Sequence, residues 1–177
     1  LLDQAGYLKK ADGFRYKDGK KVTLTALSYE RLPEIPLAVQ ATQAALKKIG
    51  IDVKIRTVEV GSIAAAEDYS FTPYTMVATP VGDPYPFFKS SLASDGSVNL
   101  GKYKSEKVDQ LVQTLATEGN QEKRQELSKD LQREIKEDLP ISFLVTFKVA
   151  VIMNDRVSGL KSSASDYYHI TNQLTKE

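Results

Sequence analysis

Cysteine and tryptophan are absent from this 177-residue chain, and histidine occurs once, as His169. Without cysteine there is no disulfide framework and no thiolate metal site, although cysteine-free chains occur in exported and cytosolic proteins alike, so the compartment stays open. A single histidine excludes a metal centre built on several imidazoles and leaves His169 as the one base a Ser-His-Asp triad could use. No G-x-S-x-G elbow supplies a nucleophile. Gly82, Gly96 and Gly101 are too scattered for a Walker loop or a dinucleotide fingerprint. No two carboxylates share an apolar setting that would separate their acidities. No apolar run approaches the roughly 20 residues that span a bilayer. Neither sign of charge dominates: 24 Lys and Arg face 23 Asp and Glu, and no basic run exceeds three residues. That balance argues against a phosphate backbone as partner. These absences leave no sign of an enzyme, of a protein metal site, of a resident cofactor or of a nucleic-acid binder.

What is present is apolar content sufficient for a core, 41% of residues, so a single domain over 1–177 is expected. The chain opens without Met, and Leu1 to Gly6 reads as the last turn of a helix closed by glycine, as though the sequence were a piece of a longer polypeptide. Residues 7–19 form a polar connection with a turn at Asp18-Gly19. Residues 22–27 read as a strand, and Arg31 to Pro36 introduces a helix carrying Ile35, Val39, Leu46 and Ile49 on one face and ending at Gly50. Residues 52–60 alternate strictly, which completes a parallel βαβ unit. A short Ala-rich helix over 61–69 and a return strand over 74–79 follow.

The second half is helical twice. Ser105 caps a helix to Glu118 with Val108, Leu111, Val112 and Leu115 inward. Asn120 caps another, with Leu127, Leu131 and Ile135 aligned, stopped at Asp138-Leu139-Pro140. The outward charges, Glu122, Lys123, Arg124, Glu126, Lys129 and Asp130, read as a solvated face. Residues 141–152, ISFLVTFKVAVI, predict strands buried on the sheet, and residues 166–171 a last short strand. The expected fold is α/β, a mixed and mostly parallel sheet flanked by helices.

Residues 74–103 carry the functional signal. A strand that breaks into the stiff loop Pro80-Val81-Gly82-Asp83-Pro84 is how α/β proteins present groups to a ligand. Tyr85, Phe87 and Phe88 then read as a short helix packing aromatics, and Ser94-Asp95-Gly96-Ser97 as a second polar turn. Asp83 is most simply an Asx residue that stabilises the turn before Pro84.

LLDQAGY, KDGKKVTLTAL, LKKIGIDVKI, the turn GDP, GKYKSEKVDQLV, EKRQELSKDLQREI and EDLPISFL follow one another in the order and spacing of a known group. Their run resembles the extracytoplasmic solute-binding proteins of peptide and nickel ABC importers, over nearly the whole chain. The resemblance implies most of the second, C-terminal lobe of a two-lobed, periplasmic-binding-protein-like receptor. In such a receptor the lobes close on a ligand, and the closed form is presented to the transmembrane permease subunits. It implies an extracytoplasmic monomer, in a periplasm or lipid-anchored on the outer face of the cytoplasmic membrane. Peptide-binding members carry an Asp a few positions before the acidic-Pro turn; here that position is Pro80, which cannot pair with an ammonium. TPVGDPYPFF, SDGSVNLGKY and SDYYHIT look closer to nickel-type members. Some of those place aromatics before the turn and a His in the next loop, where this chain has Ala78, Gly82 and the His-free residues 94–99. The expected ligand is therefore nickel wrapped in a small chelator, with oligopeptide as the alternative. Thr79, Pro80, Val81 and Gly82 would form the cleft wall. Tyr29 and Arg31 would stand at the end of the first strand, with Asp95, Asn99 and Tyr103 as nearby polar contacts. A hydrolase using His169 and a ligand-sensing regulatory domain are the competing classes.

Overall fold

The computed structural model describes residues 1–79, 82–146, 150–161 and 170–176. The chain falls into two compact units, Leu1–Thr75 and Met76–Glu177.

The first unit opens with a turn in which the Gly6 amide donates to Asp3 O and the Tyr7 amide to Leu2 O, the Schellman pattern that ends helices. Three short strands follow, β1 (Leu8–Lys9), β2 (Arg15–Lys17) and β3 (Lys20–Lys21), paired antiparallel in that order. The sequence reads as a plain connection here because no apolar alternation marks it. The ribbon is braced instead by ammonium groups over rings: Lys10 on Tyr16, Lys17 on Tyr7 and Lys21 on Phe14, at 4.0, 4.5 and 3.5 Å from the ring centres. Next comes the βαβ unit: β4 (Thr23–Ser28), α1 (Glu34–Lys48) and β5 (Asp52–Thr57), with β4 and β5 parallel, Leu24 opposite Val53 and Ala26 opposite Ile55. Helix α1 starts at Pro33 and carries Pro36 in its first turn, where a missing amide hydrogen costs little. It lays Ile35 and Val39 inward and ties itself to the sheet through Gln43 Nε2, which donates to Val53 O at 2.7 Å. Ala26, Val39 and Val53 form the core of this unit, with Leu24, Leu46, Ile51 and Phe71 around them.

Two expectations in this unit are corrected. Residues 61–69 hold only a single 3₁₀ turn at Val60–Ser62 followed by irregular turns, not a helix. Residues 74–79, which begin in this unit, form no strand and bend at Ala78, and the third sheet position is filled earlier, by one parallel bridge between Phe71 and Ala26. The sheet is therefore not mostly parallel: among the described residues β4–β5 is the one parallel pair, and the other two sheets are small and antiparallel.

The second unit is built on three helices, α2 (Tyr85–Ser91), α3 (Glu106–Thr117) and α4 (Gln121–Asp138). Their caps follow the sequence. Ser105 Oγ accepts from the Val108 amide and Asn120 Oδ1 from the Lys123 amide, so each satisfies one orphan donor of its first turn. Helix α4 ends at Leu139 in the left-handed region, directly before Pro140. Phe87, Phe88, Leu92, Val108, Val112, Leu115, Leu131 and Ile135 interlock as the core. A ribbon of β6 (Val157–Ser158) and β7 (Thr175–Lys176) lies farther along the chain.

Residues 141–146 and 150–153 lie in no strand, against the expectation of buried strands. Phe143 is 71% exposed, Val145 69% and Ile152 92%. Propensity alone cannot make a strand: an extended segment needs a neighbour to pair with, and among the described residues none lies beside this one. Of the last expected strand, 166–169 fall outside the described residues and 170–171 are irregular.

Candidate functional site

In parallel α/β units ligand groups gather beyond the carboxyl ends of the strands. After β4 the chain runs through Tyr29, Glu30 and Arg31 into α1, and after β5 through Val58 and Glu59. Two shallow depressions open there. One of about 380 Å³ is lined by Glu30, Arg31, Leu32, Pro33 and Pro36. The other, of about 470 Å³, is lined by Glu30, Thr57, Val58, Glu59 and Val60. Arg31 faces the first, as an exposed cation beside Glu30. Tyr29 does not face either: it is buried, its hydroxyl donates to Pro73 O at 3.0 Å, and burial pushes its phenol above the usual range. Its role in the unit is to anchor the end of β4. Glu30, Thr57 and Glu59 were missed in the sequence, although the carboxyl end of β5 was itself the signal that could have found them.

In the second unit the Gly82 amide donates to Thr79 O at 3.1 Å and closes a turn, with Gly82 at φ +77°. Pro80 and Val81, named for the same wall, lie outside the described residues, as does His169. Asp83 has the Asx role read from sequence, because its Oδ1 accepts from the Tyr85 amide at 2.8 Å. Its Oδ2 does more, pairing with Arg124 of α4. Arg124 is thus not part of a plain solvated face. Its Nη1 also donates to Leu115 O at 2.6 Å and Glu118 O at 2.7 Å.

Asn99 and Tyr103 are brought together. Asn99 Nδ2 donates to Tyr103 O at 2.7 Å and Ala93 O at 3.1 Å, while Asn99 Oδ1 accepts from the Tyr103 amide at 2.9 Å. The Tyr103 hydroxyl donates to Asp138, and burial followed by that carboxylate raises its pKa above the ordinary phenol value. Both side chains therefore hold the 93–103 loop in shape. Asp95 pairs with Lys89 at the surface, and that hydrogen bond holds its carboxyl below the usual range. Among the described residues, no three His, Cys, Asp or Glu side chains gather as a metal site would require.

A family profile described as bacterial extracellular solute-binding proteins, family 5 middle, matches residues 1–99. The chain belongs to this family. Family 5 is one of solute-binding components rather than enzymes. The family 5 nickel-binding protein NikA of Staphylococcus aureus is 27% identical over 99% of this chain and 36% of its own length. Di/tripeptide-binding protein 3 of Pseudomonas aeruginosa is 30% identical over 94% and 32% respectively. A solved nickel ABC transporter structure from Bacillus halodurans superposes with a TM-score of 0.78 at 28% identity, covering 98% of this chain and 37% of that one. The chain therefore spans about a third of the length of the relatives it matches. The α/β lobe of the periplasmic-binding-protein type expected from sequence is the fold of these neighbours. Among the described residues no helix is long and apolar enough to cross a membrane.

Proposed function

We propose that this chain is most of the second, C-terminal lobe of the substrate-binding component of an ABC importer. The whole receptor captures nickel as a small-molecule chelate outside the cytoplasm, in the periplasm or anchored by lipid to the outer face of the membrane. It acts as a monomer and delivers its ligand to the transmembrane permease subunits. The observation that carries this reading is the similarity to the S. aureus nickel-binding protein, which runs over 99% of the chain.

In this reading Thr79, Pro80, Val81 and Gly82 form the wall that the second unit offers to the ligand; in the first unit Arg31 stands at the end of β4 as a further contact, and Tyr29 fixes that end. Asp95, Asn99 and Tyr103 shape the adjoining polar loop. The residue types at these positions suit a pre-wrapped metal, because Ni²⁺ favours nitrogen and oxygen donors that a chelator such as histidine supplies. This lobe then adds polar and van der Waals contacts instead of ligand atoms.

The second reading, a peptide ligand, has its own support in the similarity to di/tripeptide- and oligopeptide-binding relatives. Pro80 weighs against it, since a proline cannot pair with a peptide's amino terminus. The test is a thermal-shift titration of the full-length receptor with Ni²⁺, histidine, both together, and a mixed peptide pool. A ligand at a hundred times its Kd adds about 2.7 kcal/mol of stability, which a melting curve resolves. A shift with Ni²⁺ and histidine together but with neither alone is the expected result. A shift with peptides only would overturn it.

A further inference from the structure

We propose that Arg124 is the positioning residue of the turn closed by Thr79 and Gly82, acting through Asp83; this rests on reading that turn as part of the ligand wall. The guanidinium is fixed before it meets Asp83. Its Nη1 donates to Leu115 O and Glu118 O at the carboxyl end of α3, where carbonyls have no partner inside the helix and a cation is favoured. Its Nη2 then pairs with Asp83 Oδ2, while Asp83 Oδ1 accepts from the Tyr85 amide at the start of α2. The carboxylate is thus gripped from two sides, by the α3–α4 corner and by α2, and all three helices are set in one core. Gly82, the residue before it, donates its amide to Thr79 O. The charged clasp on Asp83 thus sits directly beside Gly82 and sets the place of that end of the turn. The arginine side chain is 22% exposed, so water competes for the pair less than at an open surface.

The fork is the essential feature. Lysine retains the charge, yet a single ammonium cannot reach two carbonyls and a carboxylate in the same plane. Arg124→Gln and Arg124→Lys in the full-length receptor are each expected to speed hydrogen exchange of the Gly82 and Tyr85 amides about tenfold, the factor expected on losing a charged hydrogen bond. Both should weaken, by about as much, whichever probe the wild type takes, Ni²⁺ with histidine or the peptide pool. Ser128→Ala is the control. It removes another bond of α4, Ser128 Oγ to Arg124 O at 2.7 Å, and should lower Tm without moving either amide. Asp83→Asn combined with Arg124→Gln should add little to Arg124→Gln alone. If both Arg124 variants lower Tm yet leave the two amides and the affinity at the Ser128→Ala values, Arg124 is only a helix brace and the proposal fails. A wild-type receptor that takes neither probe refutes the ligand reading instead, and the exchange comparison then decides the positioning role by itself.

Discussion

Gly50 closes α1 at φ +86°, and the chain folds so tightly there that a Cβ would stand 2.9 Å from Gly13 O and 3.2 Å from Arg15 Cγ. Gly50→Ala therefore carries two penalties. A left-handed backbone at a residue with a Cβ costs about 1–2 kcal/mol, partly offset by about 0.4–1 kcal/mol from a stiffer unfolded chain. The contact with Gly13 must also be relieved by moving the ribbon away. That motion loosens the Arg15 amide on Gly50 O at 2.6 Å and Arg15 Nε on Ile49 O at 2.8 Å, each worth about 0.5–1.5 kcal/mol. The total is about 1–4.5 kcal/mol. Gly19→Ala separates the two contributions, because Gly19 has φ +76° and nothing within 4 Å of its Cβ position. It should cost about 1 kcal/mol or less. Urea denaturation followed by circular dichroism, with hydrogen exchange of the β4 and β5 amides reporting on this unit, measures both. Equal losses for the two variants would refute the reasoning, since the strain would then be all backbone and the close approach would carry no energy.

Two further outcomes are expected. Leu131, fully buried among α2, α3 and α4, should cost about 2–5 kcal/mol on conversion to alanine, read from the urea midpoint, while α4 keeps its helical signal. Burial raises the folded-state pKa of Tyr29 above the ordinary phenol value of 10.0, so its contribution is complete below that value and is lost as pH climbs past it through the folded value. Tyr29→Phe should flatten this alkaline loss and cost about 1 kcal/mol at neutral pH through the bond to Pro73 O; melting curves across the alkaline range check both.

The elements legible in the sequence are those whose stabilising contacts are periodic and local. α1, α3 and α4 announced themselves by apolar spacing and by Pro33, Ser105, Asn120 and Pro140 at their ends, and β4–β5 by alternation around a helix of the right length. The β1–β3 ribbon was not legible because lysines over rings hold it, a pattern without apolar period. Residues 61–69 and 74–79 misled for the opposite reason: alanines and β-branched residues have the right propensity, but propensity is a weak prior that the surrounding fold overrides. At the candidate site, Asp83 could be read because an Asx turn is a two-residue event. Its partner Arg124 lies 41 positions away and looks like any other charge on an amphipathic helix. Glu30 and Glu59 become neighbours only through the parallel register of β4 and β5.

Phe143, Leu144 and Val145, and farther on Ile152 and Met153, are exposed and lie outside any strand or helix. Between Pro140 and Asn154 the chain has no proline and a single charge, Lys148, to interrupt it. An exposed apolar segment outside any sheet, such as residues 141–146, can pair with another chain, because its backbone groups and its apolar side chains are both available for strand addition. For this stretch taken by itself, a charged side chain in place of Val145 or Ile152 is expected to lower its tendency to associate, while the α2–α3–α4 core, which contains neither residue, stays as it is.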